Sequence, residues 1–394
     1  MIDVNAFPGL TDSDVLDNAF SHVGPDGIVV IPPRHRENES ERTYWLIDRA
    51  ILIPENTTVI LQNCRIKLSD RCRDNFFRTA NCGFGFPDPK RISNVHIRGE
   101  GRCVLEGADH PRSTGDGKKK LVCPTPEKKF GFSYGTDCGR PDESQYGDWR
   151  NVGILFANVE HFSVENLTII NAHSWAISFE ACCQGSVRNI TFDAHYHREF
   201  NGVTHNVENQ DGIDLRNGCH HIVISDIFGQ TGDDVIALTA HLGYRDLPGG
   251  SLCTSHVMHT DYARRDPDIH DVIIRNVLAQ SQKYAIVRLL PAGTHLWNIS
   301  IDGVVDTSLE TGRNTTTFIF GTTGTYGTSS TDELRNIMVS NVISSAKKVF
   351  DVQGYWSDSV VCNVINKNPE APVFCCAKED GMTRVQTLNI HTQE

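Results

Sequence analysis

No apolar run in this 394-residue chain reaches the roughly 20 residues that a membrane-spanning helix needs. Residues 1–9 hold neither a basic segment nor an apolar one, so no secretory leader is read there and the expectation is a cytoplasmic protein with no membrane partner. Positive charge is short: 37 Lys and Arg against 49 Asp and Glu give 37 − 49 = −12, which argues against nucleic acid as a partner. Despite 13 cysteines there is no Cys-x-x-Cys spacing, which removes the usual basis for a zinc or thioredoxin-like site. The odd count in a long chain reads as small buried hydrophobes in a reducing compartment rather than a disulfide framework. Helical periodicity is nearly missing. The exception is Asp12–Val23, where Val15, Leu16, Ala19, Phe20 and Val23 share a face behind Thr11 or Asp12 as N-cap.

What the chain does have is one short phrase that keeps returning: apolar-x-apolar-x-Asn/Asp/Gly-apolar. It reads Phe162-Ser-Val164-Glu-Asn166-Leu167 and later Ile299-Ser-Ile301-Asp-Gly303-Val304. Successive Asn/Asp/Gly positions 166, 189, 226, 276, 303 and 341 lie 23, 37, 50, 27 and 38 residues apart. A base period near 23 with insertions fits, and periods of this size mark repeat architectures. Strand-like repeats with Asn or Gly at the turns select a parallel β-helix over a helical solenoid. The expected fold is therefore all-β: one parallel β-helix over residues 1–394, with residues 1–50 as an N-terminal cap carrying the helix, and coils over about 51–380.

Two Asp-rich segments lie one period apart, Asn209-Gln-Asp211-Gly-Ile213-Asp214-Leu215 and Gly232-Asp233-Asp234-Val-Ile236-Ala-Leu238. Asp211 and Asp234 are separated by 23 residues, and Ile213 and Leu215 fall on Ile236 and Leu238. In successive coils these segments would sit side by side on one sheet, about 4.8 Å apart. Carboxylates that close push one pKa up and favour a split into acid and base. The bland alternative is that these Asn and Asp residues form turn ladders. Four aspartates in register on adjacent coils argue against it.

The longest insertions, 108–150, 195–208 and 241–269, flank the Asp coils and are expected to wall the same groove. The first is rich in Lys and Arg. The others carry His195, His197, His205, His256 and His259. Three histidines on one loop read as solvated or substrate-facing, so no metal site is assigned.

Residues 19–33 (AFSHVGPDGIVVIPP), 50–62 (AILIPENTTVILQ), 97–107 (IRGEGRCVLEG) and 158–183 (NVEHFSVENLTIINAHSWAISFEACC) resemble the polygalacturonase family of pectin-degrading glycoside hydrolases (family twenty-eight). Most specific are 209–215 (NQDGIDL) and 231–238 (TGDDVIAL), close to that family's Asn-Thr-Asp-Gly and Gly-Asp-Asp signatures. The resemblance implies a right-handed parallel β-helix and an inverting hydrolase of a carbohydrate. It implies Asp233 as the acid that protonates the leaving oxygen, with Asp211 and Asp234 positioning and deprotonating water. Inversion asks for an acid–base gap of roughly 6.5–9.5 Å. The adjacent Asp233 and Asp234 are expected to splay in different directions, and Asn209 and Asp214 to contact substrate. No cofactor is expected, since such hydrolysis needs only carboxylates and water.

The family's Gly-His-Gly and Arg-Ile-Lys are absent. If Val272–Leu289 forms the next coil, Ala285, Val287 and Leu289 point inward, Lys283 stacks over Asp234, and Arg288 points outward. Lys283 or Tyr284 then replaces the family histidine, and Lys283, Tyr284 and Arg288 are expected to bind substrate. A rival alignment by spacing uses His256, but no coil phrase surrounds it. Trp175 shares parity with Ile177 and Phe179, which favours core over sugar platform. Hydrolysis is the leading expectation, followed by β-helix lyase chemistry and then by a non-catalytic solenoid.

Overall fold

The computed structural model describes residues 1–24, 27–35, 42–72, 74–83, 88–110, 149–242, 257, 266–309, 315–323 and 327–394. Most coils give one strand to each of two parallel sheets, while N-terminal coils such as Ile92–Glu100 with Val104–Glu106 give two to the larger sheet. The larger sheet has 15 strands, and its central run is Ile92–Glu100, Val159–Ile170, Cys183–Asp193, His220–Thr231, Ile269–Ser281 and Leu296–Asp306. The second has 10 strands, with Ile177–Glu180, Ile213–Arg216, Ile236–His241, Ala285–Ala292 and Thr316–Phe320 side by side at its centre. The expected right-handed parallel β-helix is the fold. Among the described residues no helix is long and apolar enough to cross a membrane.

The repeated phrase has a specific backbone cause. Asn166, Asn189, Asp226, Asn276, Gly303, Asn341, Asn363 and Asn389 all have positive φ and stack in one column along the larger sheet. A left-handed residue interrupts strand alternation, so Val164 and Leu167, three apart, both point inward and are buried. Asn and Gly tolerate this conformation where other residues lose roughly 1–2 kcal/mol. The side chains also form a ladder, with Asn189 Nδ2 donating to Asn166 Oδ1 at 2.9 Å and Asn363 Nδ2 to Asn341 Oδ1 at 3.0 Å. Asn189→Ala is expected to lose the ladder bond and the backbone preference together, about 1–2 kcal/mol in a urea-unfolding measurement. Asn189→Gly should recover part of that loss; equal stability of Asn189→Ala and the parent would contradict this account.

Inside, rows of apolar side chains stack from coil to coil. Ile177, Ile213, Ile236, Val287 and Phe318 form one row, and Phe179, Leu215, Leu238, Leu289 and Phe320 the next. All ten are fully buried, and each such side chain contributes roughly 1.5–3 kcal/mol. At the N-terminal end the helix Asp12–Ser21 starts with a capping box between Thr11 and Asp14. It buries Val15, Leu16, Ala19 and Phe20 against strands Trp45–Ile47 and Ile51–Ile53. Buried Asp12 anchors it by accepting from Arg34, Arg42 and the Leu46 N–H at 2.8–2.9 Å. Cys64, Cys72, Cys82, Cys103, Cys182, Cys183 and Cys219 are buried, as expected of small hydrophobes, while Cys376 is exposed.

Candidate active site

The register places the Asp motifs as their spacing predicts: Ile213 pairs with Ile236 and Leu215 with Leu238. Gly212 N–H donates to the Asp234 carbonyl at 2.9 Å, which lays Asp211 alongside Asp234. Both motif glycines are there for close approach. A Cβ on Gly212 would lie 2.4 Å from the Val235 carbonyl, and one on Gly232 would lie 2.6 Å from Gln210 Oε1. The Asp233 carbonyl accepts from Thr231 Oγ1 and Ser281 Oγ, both at 2.7 Å, so its own coil and the next fix this turn.

Asp211, Asp233 and Asp234 each offer an oxygen, and these oxygens lie within 4.8 Å of one another. This corrects one expectation. The neighbours Asp233 and Asp234 converge, because they sit in the turn before the strand begins at Ile236, where alternation does not yet apply.

All four carboxyls are buried. Burial pushes Asp233 up to about 8, with the Asp234 charge adding to it and Arg288 opposing. Burial also carries Asp211 well above the usual carboxylate range, helped by the charges of Asp233, Asp214 and Asp234. Asp214 is raised by burial against the pull of Arg216, and it is near enough to Asp211 for a carboxyl–carboxyl hydrogen bond. Asp234 is raised by burial but is the best compensated of the four. Its Oδ1 accepts from Ala285 N–H at 2.9 Å and its Oδ2 lies 3.5 Å from Arg288 Nη1. The site therefore pairs a carboxyl that holds its proton, Asp233, with one beside a guanidinium, Asp234.

Arg288 projects outward as expected, in the row Ser178, Asp214, Ala237, Arg288, while Ala285, Val287 and Leu289 are buried inside. Lys283 does not stack over Asp234. Ile236 pairs with Val287, which sets Ala285 beside Asp234 instead. The Lys283 ammonium is held by Glu208 at 2.5 Å and the Tyr196 hydroxyl at 2.8 Å. Counting inward residues gave the right faces, but the extra residues in the turn after Ser281 shift the register. Tyr284 is 40% exposed, with the Arg288 guanidinium 6.0 Å from its ring centre. Asn209 is half-buried and left-handed just before the first Asp motif.

Residues 195–208 stand beside the site as a hairpin of His197–Phe200 and Val203–Asn206, tied down by Tyr196 N–H to Gln282 Oε1 at 3.0 Å. Its histidines do not gather: His195 faces Asp193, His197 bonds Asn206, and His205 packs on His110. The basic insertion and His256 lie outside the described residues. Trp175 is buried at 7% exposure but not in the coil interior that its parity implied: it packs with Trp149 and Leu155 in a separate cluster on the outward face of the second sheet, in the Leu155–Ser178 row. Arg216 escaped the sequence reading: it is buried over the Trp175 ring at 4.4 Å and is the cation facing Asp214. Its place two residues after Asp214, on the same strand face, was the available signal. Glu208 and Tyr196 were also missed, because nothing local ties a loop carboxylate to a lysine 75 residues away.

Coils and carboxylates together define a right-handed parallel β-helix with a buried acid cluster on the outer face of its second sheet. Residues 142–246, which contain all four aspartates, match the family model of glycosyl hydrolases family 28. Over these coils the chain is a divergent likeness of that family, and the enzyme class this supports is a glycoside hydrolase. Among curated proteins no sequence matches the chain. Solved structures that resemble it include a polygalacturonase from Erwinia carotovora ssp. carotovora, 13% identical, with 98% of this chain and 95% of that one covered and a TM-score of 0.54. A hyperthermoactive exopolygalacturonase from Thermotoga maritima is 17% identical, with 98% and 91% covered and a TM-score of 0.56. A tailspike mutant of E. coli bacteriophage HK620, in complex with a pentasaccharide, is 14% identical, with 100% and 67% covered and a TM-score of 0.60. At these identities the likeness is one of fold.

Proposed function

We propose that this chain hydrolyses a glycosidic bond in a pectic or related plant-type oligo- or polysaccharide. The observation that carries this reading is the proton-holding Asp233, raised to about 8, within 4.8 Å of an Asp234 faced by Arg288. Asp233 gives its proton to the leaving oxygen. Asp211 helps to orient a water, and Asp234 takes its proton as the water attacks the anomeric carbon. Tyr284, exposed beside Arg288, offers a ring for a sugar face, and Asn209, Asp214, Lys283 and Arg288 are the polar contacts assigned to substrate. Inversion is proposed on the family likeness alone.

The test is a screen against pectic and neutral plant oligosaccharides that scores new reducing ends and ultraviolet absorbance together. Hydrolysis yields reducing ends without absorbance. An early proton-NMR spectrum of the product is expected to show the anomer opposite to that of the substrate; retention would replace inversion with a covalent route. A second reading, elimination, draws on the three converging carboxylate oxygens, a geometry that suits a calcium ion, with Arg288 beside them. Calcium-dependent products that absorb as unsaturated sugars would establish it instead.

A further inference from the structure

Four polar side chains that the proposed chemistry does not use meet on the larger sheet: His220 and His221 on one coil, His270 and Asp271 on the next. In a regular strand, adjacent residues point to opposite faces. Here His221 and Asp271 are left-handed, with φ of 56° and 54°, and they stack in a second column of such residues. The break in alternation brings both members of each pair to the outer surface, while the following Ile222 and Val272 turn back into the core.

The rings are held in place before any ligand arrives. His220 and His270 stack with centroids 4.9 Å apart, and His270 stacks on Trp297 at 4.4 Å. His270 Nδ1 lies 2.7 Å from Asp271 Oδ2, and His221 Nε2 lies 3.7 Å from the same oxygen. His221 Nδ1 is 2.7 Å from His220 Nδ1, so one of those nitrogens carries a proton toward the other. One ligand atom from each of His221, His270 and Asp271 falls within 4.8 Å of the other two. His221 remains solvent-accessible, its side chain 56% exposed.

The geometry points to a binding site for a divalent transition-metal cation of the zinc type, built from His221 Nε2, His270 Nδ1 and Asp271 Oδ2. Two imidazoles and one carboxylate, with a fourth position left to water, are a ligand set such ions accept. Metal–ligand distances of about 2.0–2.2 Å make tetrahedral edges of about 3.3 Å, so the His221–Asp271 separation needs little change. The closer His270–Asp271 pair, at 2.7 Å, opens by about 0.6 Å as its shared proton leaves. His220 serves as the outer partner, accepting the His221 Nδ1 proton and thereby freeing Nε2 as the metal ligand. The site would join coils separated by 50 residues, across the long insertion at 241–269, and so tie the two sides of that insertion together.

The test uses the full chain, dialysed against a chelator and titrated with zinc chloride in a calorimeter. One equivalent is expected at this site, with a rise in the thermal midpoint of a few degrees. His221→Asn and Asp271→Asn should each weaken binding by at least about tenfold and remove the rise. Asn keeps the left-handed backbone at either position, so a folding failure is not anticipated, and circular dichroism without metal checks it. His220→Phe keeps the ring stack but removes the acceptor and should weaken binding by about 10–100-fold. His197→Ala, in the hairpin, should bind as the parent does. Cobalt in place of zinc gives visible absorption bands that the two ligand variants should lose. Unchanged zinc affinity and stoichiometry in His221→Asn, or no zinc uptake by the parent chain, would overturn the assignment.

Discussion

Replacing Asp233 with Asn is expected to lower hydrolysis by about 10²–10⁴-fold while making the protein more stable at neutral pH. The two changes share one cause. Burial, then the charge of Asp234, lifts the Asp233 carboxyl from 3.8 to about 8. Between those limits the folded protein holds a proton that the unfolded chain has released. The group's contribution to stability is therefore full below about pH 4 and is lost as pH rises through about 8. Asn is neutral throughout and does not suffer that loss. The thermal midpoint of Asp233→Asn should match the parent near pH 4 and exceed it by a few degrees at pH 8. In the parent, activity should fall above about pH 8 as the acid loses its proton. Calorimetry and a rate profile on a substrate found in the screen measure both arms. An Asn variant that keeps its activity, or one less stable at pH 8 than at pH 4 relative to the parent, would remove Asp233 from the acid role.

Arg288→Ala is the second large effect. Its guanidinium is the one cation 3.5 Å from an Asp234 oxygen among the described ion pairs, and that aspartate is nearly inaccessible to water. Removing one partner of a buried pair costs about 3–5 kcal/mol when the other stays charged. Asp234 escapes part of that cost by taking up a proton, since burial already pushes its pKa upward and Arg288 is what opposes it. The proposed base is then neutral at pH 7, and the rate should fall by about 10²-fold or more. The surviving activity should need higher pH, because only there does Asp234 ionise. Arg288→Lys restores a charge but not the planar donor pair, and should recover part of the rate with the acidic limb of the profile between the other two. A rate loss with an unmoved profile would mean that Arg288 serves substrate binding alone.

Much of this was legible one residue at a time. The column of Asn166, Asn189, Asp226, Asn276, Gly303 and Asn341 could be read because a left-handed bend leaves a compositional mark at every coil. The pairing of Ile213 with Ile236 could be read because no residues are inserted between those two coils. Legibility failed where the chain leaves the repeat. The turn between Ser281 and Ala285 changed the register and moved Lys283 from Asp234 to Glu208. The turn at Gly232 aimed Asp233 and Asp234 at each other's neighbourhood, which strand alternation does not describe. His221 and Asp271 were passed over for a related reason: just before the phrase they read as ordinary strand positions, and only their backbone turns them outward.

The sequence alone determined the β-helix, the coil-to-coil register of the Asp motifs and the outward face of Arg288, because each follows from a local periodicity repeated many times. Tertiary structure alone decided how close the carboxylates stand, which of them keeps a proton, and which cation each one faces. Those depend on burial and on loops joining distant coils, and an electrostatic environment summed over such neighbours leaves no local mark in the chain.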